Sequence, residues 1–185
     1  MEQTVSKGGP TIKGIFVMSH VAALRHARGD AAIAELEKRL GRPMNYKNFE
    51  DVPLSEEIKI IECALDILTG DKVPASERHF EAGRLHFRNF VATPLGKMIF
   101  SVFPKDYKRH MLNAQNIAGH VFSGVIFKSE DLGGNKVRIM MERSDYPKEH
   151  FQGFFKEWMT YCGYEGMVGA VEREDNFFQY DAIWK

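Results

Sequence analysis

The apolar residues of this chain change period at His120, and that change decides which class of fold is open to it. Before it they recur every three or four residues, the repeat of amphipathic helices. After it they alternate, the repeat of half-buried strands. Helices first and strands together afterwards make an α+β domain, with N-terminal helices packed on a C-terminal antiparallel sheet. Doubly wound nucleotide-binding folds need strands and helices in alternation, and are excluded.

The helical part opens with TIKGIFV, whose β-branched and aromatic residues read as a short N-terminal strand. Ser19 is an N-cap candidate for SHVAALRHAR, which stops at Gly29. Asp30 is placed to cap AAIAELEKRL, which stops at Gly41 before Pro43. MNYKNFEDVPL is broken by asparagine and proline and reads as an irregular connection. Ser55 opens the next helix, with Glu56 and Glu57 in its first turn and Ile58, Ile61, Leu65 and Leu68 as its apolar stripe. A further helix runs from about Ser76 to Val91. Pro94 and Pro104 suit the first positions of two more. The strand part reads β-β-α-β-β: HVFSGVIF and KVRIMMER form a hairpin through SEDLGGN, KEHFQGFFKEWMTYC is a helix ended by Gly163, and EGMVGAV and NFFQYDAIW form a second hairpin. With 185 residues and no repeat, the expected organisation is a flexible N-terminus over residues 1–10 and one domain over 11–185.

Composition removes several functions. Twenty-five basic residues balance 25 acidic ones, so no global attraction to nucleic acid is expected. The apolar stretch FVATPLGKMIFSVF is too short for a membrane span, and Pro94 and Lys97 interrupt it. Cys63 and Cys162 stand apart with no CxxC pair, and no apolar signal core follows the N-terminal charges, so a reducing cytoplasm is the expected location. HExxH, Cys/His zinc spacings, a P-loop and a G-x-S-x-G elbow are all absent, so neither a metal site nor an enzyme is expected.

The segment HFEAGRLHFRNF, residues 79 to 90, is the one concentration of chemistry. On a helix His79, Gly83, His86 and Phe90 share a stripe, flanked by Phe80 and Phe87, while Arg84 and Arg88 stand four apart. Two readings stay open. In one, His79, Gly83, Arg84, His86, Phe87 and Phe90 contact a ligand, the glycine admitting a flat molecule. In the other, both histidines are hydrogen-bonded residues of the packed core or its boundary, the glycine admits another helix, and the arginines pair with glutamates. A haem role for either histidine is a minor variant, since no attachment signature accompanies them.

The stretches GIFVMSHVAALRHARGDAAIAELEKRLG, FEDVPLSEEIKIIECALDIL, HFEAGRLHFRNF and WMTYCGYEGMV…FFQYDAIW together resemble a bacterial domain-of-unknown-function family, first noted as a paralogous set in myxobacteria, over nearly the whole chain. That family is similar to the superfamily of haem-NO-binding domains, vinyl-reductase small domains and vesicle-tethering transport-particle subunits. The resemblance implies helices on an antiparallel sheet with a haem, an apolar ligand, an acyl chain or a protein partner held between the layers. The tyrosine-serine-arginine triplet that holds haem propionates in one branch is not found, nor is the C-terminal cysteine pattern of another, so no ligand residue carries over and the cofactor is left unknown. The implied role is a non-enzymatic cytoplasmic sensor of bacterial signalling, dimeric, with an apolar cavity for a small hydrophobic ligand. The alternative is a dimeric interaction scaffold with a filled core, its interface made by the FFKEWM helix or a sheet edge.

Overall fold

A computed structural model describes residues 9–102 and 105–185; the expected flexible N-terminus and the helix start at Pro104 fall largely or wholly outside them. Strand β1 (Thr11–Lys13) leads directly into α1 (Gly14–Arg28), followed by α2 (Asp30–Leu40), β2 (Asp51–Pro53), α3 (Leu54–Thr69), α4 (Ala75–Ala92), α5 (Pro94–Val102), α6 (Tyr107–Leu112) and α7 (Ala114–Ala118). The remainder is β3 (Phe122–Ser123), β4 (Ile126–Asp131), β5 (Lys136–Glu142), α8 (Lys148–Tyr161), β6 (Gly166–Glu174) and β7 (Phe177–Trp184). The large sheet is antiparallel throughout, in the order β4-β5-β7-β6; the expected α+β class and the second hairpin hold, while the first strand of the first hairpin is Ile126–Asp131 and takes in part of the expected turn.

Helix α8 lies between the large sheet and α4. Towards the sheet, the Phe155 and Tyr180 rings meet with centroids 5.3 Å apart, and the Gln152 side-chain amide donates to the Val168 carbonyl at 2.8 Å. Alternation supplies the sheet's inner face with Val137, Ile139 and Met141 from β5 and Phe178, Tyr180, Ala182 and Trp184 from β7, all buried. Towards α4 the two backbones touch. A Cβ on Gly83 would lie 1.7 Å from the His150 carbonyl oxygen, and one on Gly153 would lie 1.9 Å from the Phe80 carbonyl oxygen. Reciprocal glycines let the axes approach more closely than any side chain permits. Because α8 is enclosed on both sides, Phe154, Phe155, Trp158 and Met159 are buried, and the FFKEWM helix offers no apolar face for a partner.

Several local expectations are corrected. Residues Gly14 to Val17 are helix and not strand, because Phe16, Val17, Val21 and Leu24 form one buried helical stripe that begins before Ser19. The Ser19 hydroxyl accordingly lies inside α1 and donates to the Phe16 carbonyl. Asp30 is the first residue of α2, and its carboxylate accepts from Arg25 Nε at 2.8 Å in place of capping. Pro53, not Ser55, precedes α3, with no side-chain cap. Glu57 stands in the first turn of α3 as expected but is fully buried, whereas Leu65 and Leu68 are only half-buried. The irregular connection contains β2, which pairs with β1, and β3 pairs with the other side of β1 to complete a small second sheet. HVFSGVIF is therefore two strands in two sheets. They are divided at Gly124, whose φ of +82° against Pro10 breaks the ladder.

Gly83→Ala and Gly153→Ala are each expected to lower unfolding free energy by about 1–3 kcal/mol, despite the ~1 kcal/mol that alanine ordinarily gains within a helix. Urea unfolding of the purified variants checks this, and a stabilised Gly83→Ala protein would contradict the close backbone contact.

Candidate functional site

Helix α4 runs as the sequence implies, and its stripe faces inward: Gly83, His86, Phe87 and Phe90 are buried. The approach that Gly83 permits is made by the backbone of α8. Arg84 and Arg88 pair with one acid on α8, their Nε atoms donating to the two oxygens of Glu157 at 2.7 Å and 2.6 Å. The glutamate-partnered reading of the arginines thus describes their contacts. Their positive charge holds the Glu157 carboxyl below the usual carboxylate range, through the hydrogen bond from Arg88 first. His79, at the start of the stripe, is half-buried, and burial lowers its pKa.

Between the helices and the sheet lies an apolar cavity of about 30 Å³, walled by residues that include Phe16, His86, Phe90, Ala118, Phe154 and Trp158. Of the six expected contact residues, His86 and Phe90 line it. Phe87 stands behind this wall, its ring stacked on Trp158 with centroids 5.3 Å apart. Space of this size accommodates about two water-sized spheres. A porphyrin is many times larger, and aromatic rings fill the layer where it would lie, so the residues present do not fit a haem. His86 Nδ1 shares a hydrogen bond of 3.0 Å with Nε2 of His150.

That bond belongs to a buried polar cluster drawn from four parts of the chain. His20 Nε2 is 3.0 Å from Oε1 of Glu57, and the Tyr146 hydroxyl donates to Oε2 of the same carboxylate. The His20 and His86 rings meet edge to face, with centroids 4.7 Å apart. Glu57, His86, Tyr146 and His150 are all at most 2% exposed. Among the described residues, no lysine or arginine forms an ion pair with Glu57. Burial first, and then the proximity of His20, drives the pKa values of His86 and His150 well below the ordinary histidine range. Burial and the adjacent Glu57 drive that of Tyr146 well above the ordinary tyrosine range.

Local spacing hides this cluster because its members are far apart in sequence. Its signal is a polar residue in the phase of a buried stripe: His20 stands four residues after Phe16 and four before Leu24, Glu57 between Leu54 and Ile61, and His150 four before Phe154. His26, by contrast, is exposed, on a different side of α1 from His20. The cysteines offer no activated thiolate: burial raises both, Cys162 to about 11.

The depressed histidines set a sign for acid stability. Below about pH 6.5 the unfolded chain binds protons at His86 and His150 that the folded chain refuses, so stability rises with pH and is lost as pH falls. Two such groups give a slope approaching about 2.7 kcal/mol per pH unit. Urea midpoints measured from about pH 7.5 down to about pH 5 are expected to fall accordingly, and His150→Phe to flatten the slope. A flat wild-type profile would remove the buried neutral pair.

No curated protein of similar sequence is found. Solved structures of the same fold are found. An oxygen-binding H-NOX domain related to soluble guanylate cyclases, in its oxygen complex, superposes with a TM-score of 0.71 at 16% identity, covering 94% of this chain and 95% of that one. A mutant of the H-NOX from T. Tengcongensis gives 0.63 at 16% identity over 94% and 98% of the two chains. An H-NOX structure concerned with haem distortion gives 0.69 at 16% identity over 94% of each chain. These likenesses establish the fold. By sequence, residues 8–185 match the model of DUF2378, described as a protein of unknown function, and the chain belongs to that family.

Proposed function

We propose that this chain is a non-enzymatic sensory domain that admits a small apolar molecule, no larger than a gas, to the cavity between its helices and its sheet, and that it does so without haem. One observation carries the reading: an apolar cavity of about 30 Å³ at the layer boundary, walled by aromatic rings and by His86. Apolar cavities that stay dry take up xenon and small apolar ligands, because no water competes for the space. The H-NOX likeness adds weight, since one such domain carries oxygen in its solved structure. An acyl chain or a larger hydrophobic ligand does not suit a space of this size. The raised thiol of Cys162 supports a role outside covalent catalysis. In the absence of a helix long and apolar enough to cross a membrane, and with free cysteines among the described residues, a cytoplasmic setting is the simplest one for such a domain.

The competing reading, an interaction scaffold with a filled core, draws on the aromatic rings that occupy most of this layer. Its remaining interface candidate is the outer sheet face and edge, where Met167 is 66% and Ile183 40% exposed in adjacent register.

Two measurements separate these readings. Xenon dissolved under pressure is expected to shift the NMR signals of residues around Phe90 and Phe154, and Ala118→Leu, which fills the space, to abolish the response. Unshifted wild-type signals favour the scaffold. The native protein purified from its own cells is expected to show no Soret band, and stoichiometric haem there would sink the haem-free form of the proposal.

A further inference from the structure

The polar cluster beside the cavity has a donor set that its hydrogen bonds do not exhaust. His20, Glu57 and His86 each present one ligand atom, and the three atoms lie within 4.8 Å of one another. They come from α1, α3 and α4, so the site is made by the fold and by no local motif. We propose that these three residues bind a divalent first-row transition metal ion such as zinc. The proposal goes beyond the sensory reading and stands independently of it.

The chemistry suits such an ion. Two imidazole nitrogens and one carboxylate oxygen are borderline donors that favour zinc, iron or cobalt over calcium or magnesium, which take all-oxygen shells. Ligand atoms about 2.0–2.2 Å from a zinc ion stand roughly 3.0–3.5 Å apart around it. The His20 Nε2 to Glu57 Oε1 separation of 3.0 Å is already one edge of that polyhedron. A contraction of the third corner within the 4.8 Å limit completes the set. The ion would take the place of the proton that His20 and Glu57 share, the imidazole keeping its other nitrogen protonated.

Each of two ligands also has an outer partner that fixes it, as ligands in metal sites usually do. His86 Nδ1 is engaged by His150, which sets the ring plane, and the ion would take the other ring nitrogen. Glu57 Oε2 is held by the Tyr146 hydroxyl, which leaves Oε1 on the side of His20. The charge balance points the same way. A carboxylate with no solvent exposure and no described lysine or arginine paired with it gains most from a cation placed against it. His20 itself borders a second apolar crevice with Leu24, Ile61, Ala64 and Leu85. Three protein ligands leave at least one coordination position for water or a small ligand.

The probe is metal alone. Full-length protein is stripped with a chelator, dialysed and titrated with Co2+, then with Zn2+. One equivalent of cobalt is expected to bind with visible ligand-field bands, and zinc to displace it and raise the thermal midpoint. Glu57→Gln, which preserves shape, and His86→Gln are each expected to weaken binding at least tenfold. His26→Gln, exposed on the same helix as His20, is expected to bind as wild type does. Because buried substitutions can disturb folding, anomalous scattering from wild-type crystals soaked in Zn2+ reads the position with no variant: a peak between His20, Glu57 and His86 is the expected result. No stoichiometric binding, a peak elsewhere, or binding that survives both substitutions would overturn the proposal. Xenon uptake by the cavity needs no metal, so each proposal can fail without the other.

Discussion

The contact on which the rest depends is the meeting of two helix backbones. Gly83 and Gly153 let α4 and α8 close to a distance at which a carbonyl of each helix occupies the place of the other's missing Cβ. Three residues from each glycine stand His86 and His150, and the close approach brings their nitrogens to 3.0 Å. The same approach carries Arg84 and Arg88 to opposite oxygens of Glu157, and Phe87 onto Trp158. Packing, buried polarity and surface charge at this seam are consequences of a geometry that two hydrogen atoms permit.

Much of this architecture is legible in the sequence, and what is not has identifiable causes. The limits of α4, the second hairpin and the apolar band of α8 follow from period and punctuation, and they hold because local preference and tertiary burial agree there. The start of α1 fails because β-branched and aromatic residues suit a strand locally, while the stripe through Phe16 and Leu24 is decided by what the helix packs on. The second sheet escapes notice because its strands are only two or three residues long. Glu57 is the instructive case. A glutamate in a first turn fits the helix dipole, and the same residue fits the buried face one step of phase away. Only the partners His20 and Tyr146, distant in sequence, decide between them.

The core itself departs from the aliphatic norm. Rings meet tilted or edge to face from Phe16 through Phe90 and Phe154 to Trp158, and Tyr161 meets Phe87 edge to face. Flat rigid rings tile a layer with gaps of their own shape, since they cannot flex to close them as methionine or leucine would. The cavity is such a gap. Its small size follows from how the rings meet, and its apolar character from what they are. On its wall, His86 is the residue that also belongs to the polar cluster, so the void and the cluster share a side chain.

The division of one stretch of chain at Gly124 has a mechanical meaning. β3 is stitched to β1, which runs straight into α1, while β4 is stitched to β5 in the large sheet. Only Gly124 and Val125 separate the two ladders. The small sheet that leads into α1 and the large sheet are therefore joined here by a two-residue link, with the cavity walls Phe122 and Phe127 on either side of it. In this fold the break between the two ladders and the pocket are neighbours, since the residues that flank Gly124 also wall the cavity.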